Sequence, residues 1–168
     1  SLARLLRQSI SNEDEVVPLA REVEYAKGYL TIQKMRYKDK LEFEINVEPS
    51  ILNIPLIKLV LQPIIENAIY HGLKYKESKG LLQVKGFMKD GNAVLQVIDN
   101  GVGMDEETLA HIYDKHKVNY HSNGVGVYNV QKRLKLYYGE SYGITYESEK
   151  GVGTTATITI PGMQEESI

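Results

Sequence analysis

The segment from Asn53 to Gly72 restricts the fold more than any other part of the chain, because it is apolar on almost every side. Asn53 is a plausible helix N-cap and Pro55 fits in a first helical turn, so the sequence predicts a helix that runs to about Gly72. A helix without a polar face is a buried helix. We therefore place this helix beneath a sheet.

Alternating segments elsewhere in the chain predict the strands of that sheet. Leu41 to Val47 alternates apolar and polar residues, which indicates a half-buried strand. Two hairpins are predicted: Leu81 to Met88 is joined to Ala93 to Asp99, and Gly143 to Ser148 is joined to Thr154 to Ile160. The other predicted helices run from Pro18 to about Lys38, from about Glu106 to Tyr113, and from Gly124 to about Tyr138.

The charge and cysteine content exclude several classes of protein. Among 168 residues there are 20 Lys or Arg and 22 Asp or Glu, which gives a net charge of −2 and no overall attraction to nucleic acid. The chain has no Cys, so a disulfide framework, a zinc ribbon and a cysteine nucleophile are excluded. No apolar run approaches the roughly 20 residues of a membrane span.

The two ends of the chain are expected to lie outside the main domain. Apolar residues with helical spacing occur at Leu2, Leu5, Leu6 and Ile10, but a helix this short is not stable by itself. We expect residues 1–15 to be the remnant of a helix from an upstream domain, followed by a linker. Residues 162–168 are expected to form a short acidic tail.

The predicted buried helix becomes polar near its C-terminal end. At 100° per residue, Asn67, His71 and Lys74 lie within about 60° of one another if the helix continues. An Asn side-chain oxygen is a suitable ligand for Mg²⁺, which usually keeps several waters and takes other ligands from phosphates. On this segment alone, Asn67 and His71 could equally be core residues with satisfied hydrogen bonds.

Three glycine-containing segments follow along the chain. In the segment 99–103, a carboxylate at a strand end can accept a hydrogen bond from an exocyclic amine, and glycines let the backbone approach a flat base or a phosphate. The segment 123–129 opens a helix, where backbone N–H groups favour anions. The segment 151–155 leads into the last strand. Taken singly, the first and the last are better explained as ordinary turns.

In this order and on these elements, the four segments resemble the nucleotide-binding motifs of the GHKL (Bergerat-fold) ATP-binding superfamily. The resemblance covers about Val17 to Pro161. Within the superfamily, Leu61 to Gly72, Gly124 to Leu134 and the upstream Tyr29 to Arg36 are similar to the LytS/YesM-type sensor histidine kinases. The implied fold is a two-layer α/β (α+β) sandwich, with a mixed, mostly antiparallel sheet and helices packed on one face. The implied organisation is a remnant of a dimerisation helix and linker at residues 1–15, a catalytic domain at 16–161 and a tail at 162–168.

The resemblance implies how adenine is bound. Asp99 would accept a hydrogen bond from the adenine amino group. Gly101 and Gly103 would shape the pocket for the base. Thr154 would support Asp99 through its hydroxyl group or a water molecule.

The resemblance also implies how Mg-ATP is held. Asn67 would hold Mg²⁺ on the triphosphate, and it is the first candidate catalytic residue. Glu66 and His71 are the other candidates, because they are often polar neighbours of the phosphates in the family. The further nucleotide-binding residues are Lys74, Gly124 and Gly126, and the segment between Met104 and Asn123 would be a lid over ATP.

Two departures from the superfamily patterns narrow the function. The ATP-hydrolysing members carry a carboxylate four residues before the motif Asn, where this chain has Pro63, so the base for hydrolysis is missing. The phospho-accepting histidine of the family precedes a Phe, whereas the four histidines here precede Gly72, Ile112, Lys117 and Ser122. The acceptor is therefore expected to lie elsewhere in a parent protein.

The resemblance implies the catalytic domain of a two-component sensor histidine kinase. It would transfer the γ-phosphoryl group of Mg-ATP to a histidine of the dimerisation domain of its parent protein, and a response regulator would be the next carrier. The parent is expected to be a membrane-bound homodimer with this domain in the cytoplasm, and no nucleic-acid partner is expected. The alternatives are a GHKL-type ATPase that drives conformational work and a degenerate nucleotide-sensing scaffold.

Overall fold

A computed structural model describes residues 16–113 and 124–162 of the chain. Its elements are, in chain order, β1 (Val16–Pro18), α1 (Leu19–Tyr37), β2 (Leu41–Val47), β3 (Pro55–Ile57), α2 (Leu61–Asn67), β4 (Gly80–Lys89), β5 (Asn92–Asp99), α3 (Glu106–Ala110), α4 (Gly124–Tyr138), β6 (Gly143–Glu149) and β7 (Gly153–Pro161). The predictions for residues 1–15, for the part of the lid segment at 114–123 and for the last six residues of the tail lie outside the described residues.

Five strands form the main sheet in the order β2-β4-β5-β7-β6. β2 pairs with β4 in parallel, and the other three pairings are antiparallel. The prediction of a mixed, mostly antiparallel sheet is therefore confirmed. β1 and β3 form a separate two-stranded sheet.

One face of the main sheet is covered by helices. Alternate residues of β5, among them Leu95 and Val97, point into a core that also contains Leu30 of α1, Ile64 of α2 and Leu134 of α4. Burial of these apolar side chains is the main stabilising contribution to the fold. The two-layer arrangement is the one that the sequence predicts.

The predicted helix start at Asn53 is wrong. Residues Pro55–Ile57 form β3, which pairs with β1 and buries Leu56 completely, and α2 begins only at Leu61. Leu59 has a positive φ of 58°, which no α-helix accommodates. The buried carboxylate of Glu22 on α1 accepts a hydrogen bond of 2.9 Å from the Val60 N–H. A residue 38 positions upstream thus supplies the acceptor that the start of α2 needs.

All of the other predicted elements except α3 agree with their predicted bounds. α1, β2, both hairpins and α4 lie within about two residues of their predicted bounds. α4 ends before Gly139, whose φ of 110° suits the left-handed end of a helix. α3 is shorter than predicted, and the side chain of Asp105 caps it by accepting a hydrogen bond from the Thr108 N–H. None of the helices in the described ranges combines the length and hydropathy needed to span a bilayer.

Candidate functional site

α2 ends at Asn67 and is followed directly by a π-helical turn over Ala68–Leu73. Such turns are rare and are often found at functional sites. The wider turn changes the direction of the side chains that follow. Asn67 and His71 line the same pocket, whereas the ammonium group of Lys74 lies over the ring of Tyr70, 4.5 Å from its centre. Lys74 is therefore not brought together with Asn67 as the helical angles predict, and it lines a separate pocket.

The π-turn packs directly on the first glycine motif. The Val102 N–H donates a hydrogen bond of 3.0 Å to the Gly72 carbonyl oxygen. A Cβ atom on Gly72 would stand 2.7 Å from Oδ1 of Asp99, and a Cβ atom on Gly101 would overlap the Gly72 backbone. Only glycine allows these two segments to approach so closely.

Asp99 is buried at the end of β5, with 5% of its surface exposed. Its Oδ1 accepts a hydrogen bond of 2.8 Å from the Gly101 N–H, and the backbone of Thr154 also favours the charged carboxylate. Burial nevertheless raises the pKa of Asp99 from 3.8 to about 6, and these two backbone groups only partly oppose the rise. A carboxylate in this state has unused acceptor capacity, which suits a ligand that donates an N–H group.

Thr154 is the neighbour of Asp99 across the β5–β7 register. Its hydroxyl group, which was expected to support Asp99, bonds another partner. It makes a hydrogen bond of 2.8 Å with the Ser148 hydroxyl, which also accepts a hydrogen bond from the Met104 N–H. Ser148 therefore ties the loop after Asp99 to the β6–β7 hairpin. Ser148 is not among the predicted site residues, although its position opposite Thr154 follows from the predicted hairpin.

Several of these residues line one pocket, which has a cavity volume of about 30 Å³ and opens to solvent. Its apolar lining comes from Ile64, Ala68, Val97, Met104 and Ala156, and its other lining residues are Asn67, His71, Gly72, Asp99, Gly103, Tyr146 and Thr154. An apolar pocket with a few directed polar groups is typical of a site for a small organic ligand. Five of the predicted site residues thus meet in one place: Asn67, His71, Asp99, Gly103 and Thr154.

Glu66 and Gly126 lie next to this pocket rather than in its lining. The Glu66 carboxylate accepts a hydrogen bond of 3.0 Å from Nε2 of Gln62. A Cβ atom on Gly126 would stand 3.4 Å from Cβ of Pro63, so the first turn of α4 packs beside α2. Because Pro63 and Asn67 are four residues apart, they lie on the same face of α2. The start of α4, which begins at Gly124, is therefore close to the face that carries Asn67.

His71 is half-buried, and burial lowers the pKa of its imidazole, with a smaller effect of the Lys74 charge in the same direction. A lowered pKa keeps the ring neutral at pH 7. His71 is therefore suited to hydrogen bonding with a ligand rather than to attracting it by charge.

Tyr146 lines the pocket and is not among the residues that the sequence predicts for the site. It lies on β6 opposite Ala156, and burial raises the pKa of its phenol well above the usual value. Its hydroxyl oxygen is buried and makes no hydrogen bond of ordinary geometry with the described residues. The Asn67 amide lies close enough to oppose the rise in pKa. Nothing local in the sequence distinguishes this Tyr from the other tyrosines of the chain.

Comparison with known proteins identifies the family. A sequence model described as "Histidine kinase-, DNA gyrase B-, and HSP90-like ATPase" matches residues 53–164. This chain belongs to that family. A second model, described as "Histidine kinase", matches residues 1–41. The histidine kinase-like ATPase domain described above thus follows a segment that is also similar to histidine kinases.

Individual relatives agree with this family assignment. The chain is 32% identical over 165 residues to the sensor histidine kinase YesM of Bacillus subtilis, and the match covers 98% of this chain and 27% of YesM. It is 34% identical over 142 residues to the sensor protein LytS of Oceanobacillus iheyensis, and that match covers 83% of this chain and 24% of LytS. The chain therefore spans about a quarter of the length of these relatives.

The fold also matches solved structures of histidine kinase catalytic domains. The catalytic domain of histidine kinase ThkA superposes with a TM-score of 0.67 at 14% identity, and the match covers 89% of this chain and 99% of that one. The predicted Bergerat-type architecture is therefore confirmed.

Proposed function

We propose that this chain is the ATP-binding catalytic domain of a sensor histidine kinase. It transfers the γ-phosphoryl group of ATP to a histidine on the dimerisation domain of its parent protein, from which a response regulator receives it. The observation that carries the proposal is the buried Asp99 carboxylate, whose acceptor capacity is incompletely used at the wall of a largely apolar pocket. An adenine ring offers both the flat apolar surface and the amino group that such a pocket requires.

A second part of the proposal concerns the parent protein to which this chain belongs. The names of YesM and LytS describe sensor proteins, and the chain spans about a quarter of each. We therefore propose that the parent is a homodimeric membrane sensor with this domain in the cytoplasm.

The described residues bring too few oxygen donors together to bind Mg²⁺ by themselves, so the ion would be bound together with the phosphates of the nucleotide. Within residues 16–113 and 124–162, no three His, Cys, Asp or Glu side chains come together as a metal site. The Asn67 side chain is an oxygen donor in the pocket, and Mg²⁺ usually combines one or two protein ligands with phosphate oxygens and water. When bound, the ion would neutralise charge on the phosphates. The role of the protein is then to hold Asn67 at the correct place beside the triphosphate.

The reaction forms a P–N bond to the acceptor imidazole and breaks the bond between the γ-phosphorus and the oxygen that bridges it to the β-phosphate, so ADP leaves. Catalysis of such a transfer is mostly positioning and charge stabilisation. Hydrolysis would need a base that activates water, and this face of α2 carries Pro63 packed beside Gly126 instead. Glu66 contacts Gln62 and is not among the pocket-lining residues. These contacts favour transfer over hydrolysis.

Transfer in trans tests the proposed function directly. The chain is to be incubated with γ-labelled ATP, alone and with the separately prepared dimerisation domain of its parent. We expect label only on the added domain and slow phosphate release, because a missing general base costs about 10²–10⁴-fold in hydrolysis. Labelling is also expected to be slow, since a separate acceptor lacks the effective concentration of a tether. Rapid phosphate release with an unlabelled acceptor domain would favour an ATPase instead.

Asn67→Ala is expected to weaken ATP binding mainly when Mg²⁺ is present. Removing a metal ligand should lower the affinity by at least about tenfold in Mg²⁺ and by less than about twofold in EDTA, measured by calorimetry. Gln62→Ala is the matched control, because Gln62 lies on the same helix but is not in the pocket lining. An equal loss in both buffers would mean that Asn67 has a structural role only.

A further inference from the structure

We propose that Tyr146 is a positioning residue of the nucleotide site: its phenol oxygen accepts a hydrogen bond from the Asn67 side-chain N–H and so directs the Asn67 amide oxygen toward the phosphate side of the pocket. This inference rests on the proposed function, since it gives a role to the Asn67 oxygen. It concerns a residue that lies on β6, far in sequence from the motif that contains Asn67.

Three observations place the phenol beside Asn67. Both residues line the same pocket. The Tyr146 hydroxyl oxygen is excluded from solvent and is the one buried side-chain polar atom of the described residues that lacks a hydrogen bond. The Asn67 side chain lies close enough to the phenol to lower the pKa of Tyr146 slightly against the larger effect of burial. A buried hydroxyl group without a partner is costly, so a small adjustment that joins it to the neighbouring amide is favoured.

The position of the Tyr146 ring is fixed by packing rather than by that hydrogen bond. Its ring meets the Tyr113 ring edge to face, with centres 6.0 Å apart. The Tyr113 hydroxyl donates a hydrogen bond of 2.7 Å to the Ile144 carbonyl oxygen, which also accepts one from Nε2 of Gln131. The Ile144 N–H donates to Oε1 of Gln131 at 2.7 Å. These contacts hold the edge strand β6 against α4. They therefore fix the backbone that carries Tyr146 and the ring of Tyr113 that packs on it.

The chemistry of the amide makes this fixed phenol significant. An Asn side chain has a donor end and an acceptor end of nearly the same shape, and its orientation is set by its hydrogen-bond partners. If the N–H group faces Tyr146, the oxygen faces the other way and can act as a metal ligand. Without the phenol, the amide is free to turn its N–H group toward the nucleotide, where it would repel a cation.

Tyr146→Phe tests this inference, because it removes one oxygen atom and keeps the ring. We expect the variant to lose about 3- to 10-fold in ATP affinity when Mg²⁺ is present and less than about twofold in EDTA. Tyr138→Phe is the matched control: it removes a hydroxyl group that bonds the Pro55 carbonyl oxygen and lies outside the pocket lining, so it should lower neither affinity. Thermal unfolding without nucleotide establishes that both variants are folded.

A double-mutant cycle makes the test specific to Asn67. In an Asn67→Ala background, Tyr146→Phe should have no further effect on affinity in Mg²⁺. In NMR spectra of the nucleotide-free protein, the signals of the Asn67 side-chain N–H groups should shift in the Tyr146→Phe variant. Unchanged affinity in Mg²⁺, an equal loss in both buffers, or additive losses in the cycle would each overturn the inference while leaving the proposed function intact. A failure of the unsubstituted chain to bind ATP would overturn both.

Discussion

Asp99→Asn should lower the affinity of this chain for ATP by about 10- to 150-fold and make the nucleotide-free protein more stable. The affinity range corresponds to a hydrogen bond to a charged group, about 1.5–3 kcal/mol. The replacement keeps the shape of the side chain but brings an NH₂ group next to the donors of Gly101 and Thr154. The amide therefore serves a donating ligand less well than the carboxylate does.

The gain in stability follows from the raised pKa of Asp99. Burial moves the pKa from 3.8 to about 6, so the folded protein holds a proton that the unfolded chain has already released. Ionisation of Asp99 therefore leaves the free energy of unfolding unchanged below pH 4 and lowers it increasingly between pH 4 and 6. Above pH 6 the loss is at most about 3 kcal/mol. An Asn side chain avoids this cost. We expect Asp99→Asn to raise the free energy of unfolding by roughly 1–3 kcal/mol at pH 8 and by little at pH 4.

Urea unfolding at pH 4, 6 and 8, together with calorimetry of ATP binding, checks both parts. In the unsubstituted protein the affinity for ATP should also fall as the pH is lowered through about 6, and this dependence should be absent in the variant. Equal ATP affinity in the two proteins would contradict the assignment of Asp99 to adenine. Equal stability at pH 8 would contradict the raised pKa.

Gly101→Ala is expected to have the larger effect on the fold. The new Cβ atom would overlap the backbone of Gly72, which cannot move aside as a flexible side chain can. The loop must shift and weaken two hydrogen bonds, from the Val102 N–H to the Gly72 oxygen and from the Gly101 N–H to Asp99. Overpacking and the weakened hydrogen bonds together should cost about 2–5 kcal/mol of unfolding free energy. ATP binding should be lost with the geometry of Asp99.

Gly28→Ala provides the control for this prediction. Gly28 lies within α1, and a Cβ atom there meets no other atom within 4 Å. Alanine should therefore stabilise the protein by about 0.5–1 kcal/mol, through the better helix propensity alone. If Gly101→Ala left stability and ATP binding unchanged in the same urea and calorimetry measurements, the tight packing of the glycine motif on the π-turn would be refuted.

The parts of the fold that the sequence predicts well are those determined locally. The hairpins were predicted from turn residues such as Asp90 and Gly91, both of which have positive φ, and from the alternation on either side. The end of α4 was predicted from Gly139 in the same way. The start of α2 was not, because it depends on the pairing of β3 with β1 and on Glu22, and neither is visible in the segment itself.

The candidate site shows the same division. The glycine motifs and Asp99 could be found from their order along the chain, because each has its own local pattern. Tyr146 could not, because its role comes from a pocket that it shares with Asn67, which is distant in the sequence. Ser148 could be placed opposite Thr154 from the predicted hairpin, but its hydrogen bond with the Met104 N–H could not be predicted. The expectation for Lys74 depended on an uninterrupted α-helix, and the π-turn after Asn67 changes its direction.

The hydrogen bond between Glu22 and Val60 has a consequence for how the protein unfolds. Glu22 lies in the stretch matched by the model described as "Histidine kinase", and α2 lies in the stretch matched by the ATPase model. α1 shares its core with α2, and β2 shields the long edge of β4 from solvent. A chain that began at residue 53 would present that edge to other molecules as a template for intermolecular β-pairing. The cooperative unit therefore includes α1 and β2, and the boundary between the two sequence families does not coincide with a boundary of folding.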